Sequence, residues 1–529
     1  MSGVKRLKAE IAQLQGMVGE RNEEIGRLRG RIGQVEREAE ETRKRAAARE
    51  AELLERIAHL NQRLRKLARQ AWGKKSEKTP RGKPPAGPRP KKTSDGFGRG
   101  QKRGPKPFAA DIPRVKIKLP DPEPKDRICP VTGQPMKPGF TETVEVMRII
   151  PARVLIEQYE RTVFVSPAKS APVCTPWPDE VFARQRVHAS VFGHVAAEHF
   201  AEHQPYHRME KKLERSGVRL PRATQVSLMK QLNRMVKPAV DELKAGLMRQ
   251  DYLHLDATPV RVCDPAHPGK TVESTVWGYR ANGEPLCWYQ FEYPHGKSPA
   301  FPDRELKAAN FTGKLQVDGA NGLNKIGTPG QVVPLGCLSH GRRYAYDALV
   351  DGDENARVYL EVYNKIFKID RIAKRFRFSE EKLHEWRMRY SLAFFDLMVA
   401  MAEGEIKEKP PGTPLWQCLH YLTEQQDYLR RAIATPGAEL TNNKAERNLR
   451  PLKTGQKNWL WLGHPSAGPR LANLFTLVEN CRQLGVNVEA YITDLVTRLP
   501  GHPAKKIAEL LPTAWKRARE KAAADPPAA

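Results

Sequence analysis

The chain has 529 residues, enough for two to four domains, and its 90 lysines and arginines exceed its 61 acidic residues by a formal net charge of +29. Such a surplus favours a polyanionic partner, most often a nucleic acid, over a merely soluble basic protein. Seven cysteines without a paired Cys-x-x-Cys spacing argue against a disulfide framework. Cys263, Cys287 and Cys337 lie in apolar runs and are interpreted as buried small hydrophobes. With neither a signal-like apolar core nor a membrane-length apolar stretch, the sequence predicts a cytoplasmic protein without a membrane partner.

Residues 1–72 have the pattern of a coiled coil. Apolar residues recur at alternating steps of four and three from Leu7 to Ala39, and the rhythm resumes in a shifted register from Leu53 to Leu67. Glycines within the first run weaken the helix. We expect self-association into a homodimer or higher oligomer, rather than a solvated single helix.

Two segments rich in turns follow the coiled coil. Residues 73–110 are dominated by Lys, Arg, Gly and Pro and predict a flexible linker. Arg103 lies in a basic turn of the kind that enters a DNA minor groove, although charge that only aids solubility explains it as well. Residues 111–179 predict a small β-rich unit, in which Cys129 and Cys174 are too isolated to form a four-ligand zinc site. Zinc is therefore not expected there.

Residues 180–250 return to a helical period, with a turn at Gly217 between two helices. Arg222, Thr224 and Gln225 fall near the start of the second helix, where a recognition helix contacts base edges. Helix pairs of this kind also occur in proteins that never touch DNA. Together with the positive charge, the pattern predicts a helix-turn-helix DNA-binding region.

The order of elements in residues 251–352 predicts an α/β core. Three predicted strands are followed by a helix, a fourth strand, a fifth strand and a second helix, which is the element order of an RNase H-like fold. The second helix contains Arg342 and Arg343, which are candidate contacts to DNA. Asp256 lies in the first strand and Asp318 ends the fourth. In such a sheet these two carboxylates can lie side by side.

The remainder of the chain predicts an interrupted core. Residues 353–437 are helical in pattern and make the connection to Glu446 far longer than a simple loop requires, which indicates an all-α insertion. Residues 438–490 then form the last part of the RNase H-like core, and residues 491–529 form a C-terminal extension.

Asp256, Asp318 and Glu446 are candidate metal ligands. Carboxylates in otherwise apolar runs are costly to bury unless charge compensates them. Their oxygens suit Mg²⁺, with Mn²⁺ as a substitute, and two such ions catalyse phosphodiester chemistry. Cations that follow the glutamate are candidate contacts to DNA phosphates, although they also fit a plain charged helix surface: Arg447, Arg450, Lys453 and Lys457. The tryptophans at 459 and 461 are interpreted as core residues.

At these residues the chain resembles the insertion-sequence-66 family of bacterial transposases. The matching segments are LHLDATPV, LQVDGANGLN, GCLSHGRRYAYDA, NNKAERNLRPLKTGQKNWLWLG and the ending AYITDLVTRLPGHPAKKIAELLPTAW. The resemblance implies that Asp256, Asp318 and Glu446 are a catalytic DDE triad for metal-dependent cleavage and strand transfer of element-end DNA. It also implies DNA as partner, a nucleoid-associated location, and a possible need for small accessory proteins.

Two departures from the family pattern leave alternatives open. Ala257 stands where the family usually has Glu, and the cysteine pairs of the family's small zinc finger are missing. Adjacent strand residues point to opposite faces, so the residue at 257 is not expected to share the metal site. The alternatives are a catalytically inactive, domesticated DNA-binding protein, and an RNase H-fold nuclease or resolvase that cleaves without joining.

Overall fold

The structure is a computed structural model, and the residues that it describes are concentrated in the ranges 187–294 and 296–524. The chain divides into two compact units, one formed by Met1–Ala71 with Val154–Ala529 and the other by Trp72–Arg153. Only Gln134 of the second unit is described. The predicted basic linker, with Arg103, and most of the predicted β-rich unit therefore lie outside the described residues.

The described residues between positions 16 and 45 are helical, and nearly all are exposed. Ion pairs join neighbouring turns, for example Lys44 with Glu40 at 2.9 Å. Leu28 and Ile32, two residues of the predicted seam, are 49% and 57% exposed. The single chain therefore leaves this part of the seam uncovered.

The next described elements are a short β-ladder and four helices. Strand β1 (Val163–Phe164) pairs antiparallel with β2 (Val173–Cys174). The helices are α1 (Ala189–Ala196), α2 (Tyr206–Arg215), α3 (Arg222–Met235) and α4 (Lys237–Met248). Helix α1 continues into one π-helical turn, Ala197–Ala201. Gly217 has a φ of 79° between α2 and α3, a conformation that favours glycine, so the turn lies where the sequence predicts it.

A five-stranded sheet forms the centre of the larger unit. Its strands are β3 (Tyr252–Cys263), β4 (Thr271–Ala281), β5 (Cys287–Glu292), β6 (Gly313–Gln316) and β7 (Val332–Leu335). Their order is β5-β4-β3-β6-β7. The first three form an antiparallel meander, whereas β6 is parallel to β3 and β7 is parallel to β6. Helix α5 (Ala300–Ala308) connects β5 to β6, as the crossover to a parallel strand requires.

Helices then dominate the chain as far as Ala434. They are α6 (Leu338–Val350), α7 (Ala356–Arg375), α8 (Glu380–Trp386), α9 (Leu392–Glu405) and α10 (Pro414–Ala434). Buried Arg387 makes a bidentate pair with Asp370 of α7, at distances of 2.9 and 2.5 Å, and donates to the carbonyl of Ala438 at 2.6 Å. This pairing compensates a buried charge and ties the helical segment to the chain that leads toward Glu446.

Four helices complete the described chain: α11 (Asn443–Trp459), α12 (Ala467–Leu484), α13 (Val488–Arg498) and α14 (Pro512–Ala524). One apolar core joins the sheet to α1–α4 and α11–α14, and a second lies among α6, α7, α9 and α10. Among the helices that the structure describes, none combines the length and apolar character needed to cross a bilayer.

Candidate active site

Asp256 lies in the central strand β3, and Asp318 follows β6, the strand that pairs parallel with β3. In the β3–β6 pairing His254 lies opposite Gln316, the last residue of β6. Asp256 lies two residues further along β3, and Asp318 follows two residues after the end of β6. The Tyr421 hydroxyl lies 3.2 Å from the carbonyl oxygen of Asp318, which it can donate to. Gly319 follows with a φ of 79°, and a Cβ there would lie 2.5 Å from the Gln425 side chain. Glycine therefore allows the chain to turn away directly after the aspartate.

Glu446 reaches the same region from the first turn of α11. Buried Asn442 precedes that helix and donates its amide to the carbonyl oxygen of Leu255 at 2.8 Å, immediately before Asp256 in β3. The close approach of α11 to the sheet depends on Gly278 of β4, where a Cβ would lie 2.8 Å from the Leu449 side chain. The start of α11 is therefore anchored directly beside Asp256.

The electrostatics of Asp256 reflect the nearby negative charges of Asp318 and Glu446. Burial raises the pKa of Asp256 to about 7, with the negative charges of Asp318 and Glu446 adding to the effect. The backbone N–H of Ala257, which donates to Asp256 Oδ1 at 2.7 Å, acts in the opposite direction. The structure thus brings together the three residues that the sequence separated by up to 190 positions (446 − 256).

His340 and Cys337 belong to this cluster, although the sequence motifs did not predict it. His340 Nε2 lies 3.7 Å from Glu446 Oε1. Burial alone would lower the pKa of His340, but interactions with the Cys337 sulfur and with Asp318 outweigh it and the pKa is raised. The pattern in the sequence that could have identified them is the segment CLSH, in which a cysteine and a histidine lie three residues apart at the start of a helix.

The interpretation of Cys337 as a buried small hydrophobe describes its burial but not its polar contacts. The side chain is fully buried, and its sulfur accepts the backbone N–H of Asn442 at 3.1 Å and lies 2.9 Å from Ser339 Oγ. A polar surrounding of this kind distinguishes it from an apolar packing residue. Cys337 therefore connects the start of α6 to the start of α11.

The predicted cations lie at different depths around the carboxylates. Lys453 is half-buried, and burial and the charge of Lys297 lower its pKa, with Glu273 and Asp256 opposing the shift. Arg447, Arg450 and Lys457 are exposed along α11, Arg343 is exposed on α6, and Arg342, also on α6, donates to Asn364 Oδ1 at 3.0 Å. Lys453 is thus the least exposed of the four predicted cations on α11.

The predicted recognition residues of α3 have unequal access to solvent. Arg222 is exposed and forms a 3.0 Å ion pair with Glu210, and Thr224 is exposed. Gln225 is fully buried, with its amide donating to the carbonyl oxygens of Leu220 and Tyr206. Its side chain packs the two helices together and cannot reach a base without leaving the core, contrary to the sequence-based expectation.

A basic face on α2 was not anticipated from the sequence. Arg208, Lys211, Lys212 and Arg215 line one cleft together with Asn458 near the end of α11. Their spacing places them on one side of the helix. The cleft therefore lies between α2 and the end of the helix that carries Glu446.

The two tryptophans at the end of α11 differ in environment. Trp459 packs partly buried against the core, as expected. Trp461 is 47% exposed, so its assignment to the core is wrong. The adjacent Leu462 explains the exposure, because it pairs with the end of β3 through two backbone hydrogen bonds and turns its neighbour outward.

Comparison with known proteins gives a consistent result. The sequence model of the Transposase IS66 family matches residues 184–470, and that of the IS66 C-terminal element matches residues 476–513. The uncharacterized protein y4hP of Sinorhizobium fredii (strain NBRC 101917 / NGR234) is 24% identical over 441 residues, which cover 78% of this chain and 77% of that protein. The uncharacterized protein y4jD of the same organism is 21% identical over 420 residues, covering 77% of this chain and 81% of that protein.

The family match covers more than half of the chain and includes all three carboxylates of the cluster. It confirms the resemblance drawn from the short motifs, and the separate match near the C-terminus extends it. Transposases process DNA, and DNA is therefore a partner of this protein. The chain belongs to the IS66 family of transposases.

Proposed function

We propose that this protein is an active DDE transposase that cleaves the ends of its own mobile element and joins them to target DNA. Asp256, Asp318 and Glu446 would hold Mg²⁺, with Mn²⁺ as a substitute. The observation that carries the proposal is the placement of the three carboxylates. Asp256 lies in β3, Asp318 follows the adjacent strand β6, and Glu446 lies in the first turn of α11, which Asn442 anchors to β3. Burial and the charges of Asp318 and Glu446 raise the pKa of Asp256 to about 7. Clustering negative charges destabilises a fold, so such a cluster has no obvious structural benefit. A bound divalent cation removes the repulsion between the carboxylates.

The order of the sheet supports an RNase H-like core. An antiparallel meander of three strands is extended, beside its first strand, by two further parallel strands. Asp256 belongs to that first strand, Asp318 follows the adjacent parallel strand, and Glu446 lies on a helix packed against the sheet. This is the arrangement that the element order in the sequence predicts for the fold.

The donor set fits a hard divalent cation. The three carboxylates offer oxygen ligands, which Mg²⁺ prefers over nitrogen and sulfur. When bound, such ions activate the attacking oxygen and stabilise the leaving oxygen of a phosphodiester. The half-buried Lys453 and the exposed Arg447 lie on the helix of Glu446, where they can neutralise phosphates beside the reacting bond.

Several contacts position the carboxylates. The N–H of Ala257 orients Asp256, the Tyr421 hydroxyl fixes the backbone at Asp318, and Asn442 fixes the start of the Glu446 helix against β3. Held on rigid strands and a helix start, the carboxylates need little reorganisation when cation and DNA bind.

The direct test is a cleavage and joining assay. The purified protein is incubated with labelled element-end duplex, target DNA, Mg²⁺ and any accessory proteins encoded beside it. We expect cleaved ends followed by joined products. Cleavage without joining would indicate a nuclease or resolvase, and binding without either product would indicate a domesticated DNA-binding protein.

We expect DNA to follow the basic face of α2. Replacing Arg208, Lys211 and Arg215 together by alanine should weaken binding to element-end and unrelated duplexes alike, because phosphate contacts carry little sequence information. The slope of log K against log salt should become shallower by about 0.9 for each phosphate that is no longer neutralised. Fluorescence anisotropy at several salt concentrations measures both quantities.

A matched triple variant on α7 controls for net charge in this experiment. Arg371, Lys374 and Arg375 are exposed and lie on one helix, so their replacement by alanine removes the same charge elsewhere. An equal loss of binding in both triple variants would show that bulk charge, rather than the α2 face, is responsible.

Arg222→Ala, in contrast, should reduce the preference for element ends over unrelated DNA.

We also expect the N-terminal segment to associate, since the exposed seam residues Leu28 and Ile32 require a partner to become buried. Light scattering after size exclusion should give a molar mass of at least two chains for the full-length protein. Leu28→Asn with Ile32→Asn should shift the protein toward monomer. Arg29→Asn with Gln34→Asn, off the seam, should not, and a monomeric unmodified protein would contradict the proposal.

A further inference from the structure

We propose that Cys337, His340 and Glu446 form a Zn²⁺-binding site that shares Glu446 with the proposed magnesium site. Each of the three side chains places a ligand atom within 4.8 Å of the others. Cys337 and His340 are held by the start of α6, and Glu446 by the first turn of α11. Two helix starts therefore converge on one point with a sulfur, a nitrogen and an oxygen.

The chemistry of these donors selects Zn²⁺ over Mg²⁺. Thiolate and imidazole are ligands for zinc and other borderline or soft ions, whereas Mg²⁺ takes oxygen ligands. Cysteine thiolate and glutamate together balance the two charges of the ion, and a neutral histidine completes the set. Three protein ligands leave a fourth tetrahedral position open to water.

The hydrogen bonds around His340 and Cys337 also fit a metal site. His340 Nδ1 is buried without a hydrogen-bond partner among the described residues, although the ring is held within 3.7 Å of Glu446. A buried ring nitrogen without a partner is costly, and a metal ion bound through Nδ1 would remove that cost. The Cys337 sulfur receives the N–H of Asn442 and lies beside Ser339 Oγ, contacts of the kind that orient metal ligands.

Shared use of Glu446 makes the two sites compete for that carboxylate. A zinc ion held by Cys337 and His340 draws the glutamate away from the Asp256–Asp318 pair, so zinc occupancy should weaken Mg²⁺ binding to the carboxylate set. This part of the inference rests on the proposed function. The binding of zinc does not, and it is measured separately.

Metal binding is tested on the full-length protein with Zn²⁺ alone, by calorimetry, and with Co²⁺ alone as a spectroscopic probe. We expect one equivalent to bind, and Co²⁺ to show a thiolate-to-metal charge-transfer band. Cys337→Ser should abolish the band and weaken Zn²⁺ binding by at least about 100-fold, the upper range for loss of outer partners. Cys263→Ser removes a half-buried thiol elsewhere and should change neither.

Two carboxylate variants keep the test decisive if Cys337→Ser fails to fold. Glu446 is partly exposed, so Glu446→Gln should fold, and it should weaken Zn²⁺ binding at least tenfold. Asp256→Asn should keep the stoichiometric Zn²⁺ site, because Asp256 is not among the three ligands. Zinc binding that is unchanged in both Cys337→Ser and Glu446→Gln would overturn the site.

This competition is tested by adding Zn²⁺ to the Mg²⁺-dependent cleavage assay. Zinc should suppress cleavage in the unmodified protein. In Cys337→Ser the same zinc concentration should suppress a smaller fraction of the cleavage activity. Equal fractional suppression would overturn the competition. A protein that binds zinc at this site but never cleaves DNA would refute the proposed function while leaving the zinc site established.

Discussion

Asp256→Asn, Asp318→Asn and Glu446→Gln are each expected to reduce Mg²⁺-dependent cleavage and joining by at least about 1000-fold, because loss of a direct ligand should exceed the 10–100-fold cost of losing an outer partner. The amide keeps the shape of the side chain but removes one unit of ligand charge. DNA binding should persist, since the basic face of α2 is untouched. Rates from gel assays and affinities from anisotropy measure the two effects.

The matched control for this experiment is Glu361→Gln. Glu361 is exposed on α7 and belongs to the helical segment rather than to the carboxylate cluster. Glu305 is unsuitable as a control because its carboxylate forms a 2.6 Å pair with Lys244 and its pKa is lowered. Full activity in Glu446→Gln, with Glu361→Gln also active, would exclude Glu446 as the third ligand.

In the metal-free protein, the contribution of Asp256 to stability is expected to fall as pH rises from about 4 to about 7, and Asp256→Asn should remove that pH-dependent contribution. Asp256 ionises near its ordinary pKa when unfolded but only near 7 when folded. Its contribution to stability is therefore complete below pH 4 and is lost as pH rises through 7. The rise of the Asp256 pKa from its ordinary value to about 7 corresponds to at most about 4 kcal/mol of unfolding free energy.

Urea unfolding at pH 5 and pH 8 in the presence of a chelator measures this effect. The informative quantity is the difference between the unmodified protein and Asp256→Asn, because other groups, including buried Glu479 with its raised pKa, also contribute to the pH dependence. Added Mg²⁺ should stabilise the unmodified protein at pH 8 more than the variant. Identical pH dependence in the two proteins would show that folding does not raise the pKa of Asp256.

Local sequence pattern was sufficient for most of the elements that position the candidate site. The alternating run around Asp256 predicted β3, the glycine after Asp318 marked the end of the strand at β6, and the polar start before Glu446 predicted a helix. These features follow from side-chain periodicity and turn chemistry, which act between near neighbours in the chain. The family resemblance, which rests on the same short motifs, was confirmed.

Only the tertiary structure decided which side chains meet and which face solvent. Gln225 sits near a helix start like Arg222, yet packing against α2 buries it. Cys337 and His340 lie within 4.8 Å of a carboxylate oxygen of Glu446, which is more than 100 positions away in the chain. Periodicity identifies the face of a helix or strand, but contacts between distant segments depend on how those faces pack, and local sequence does not encode that geometry.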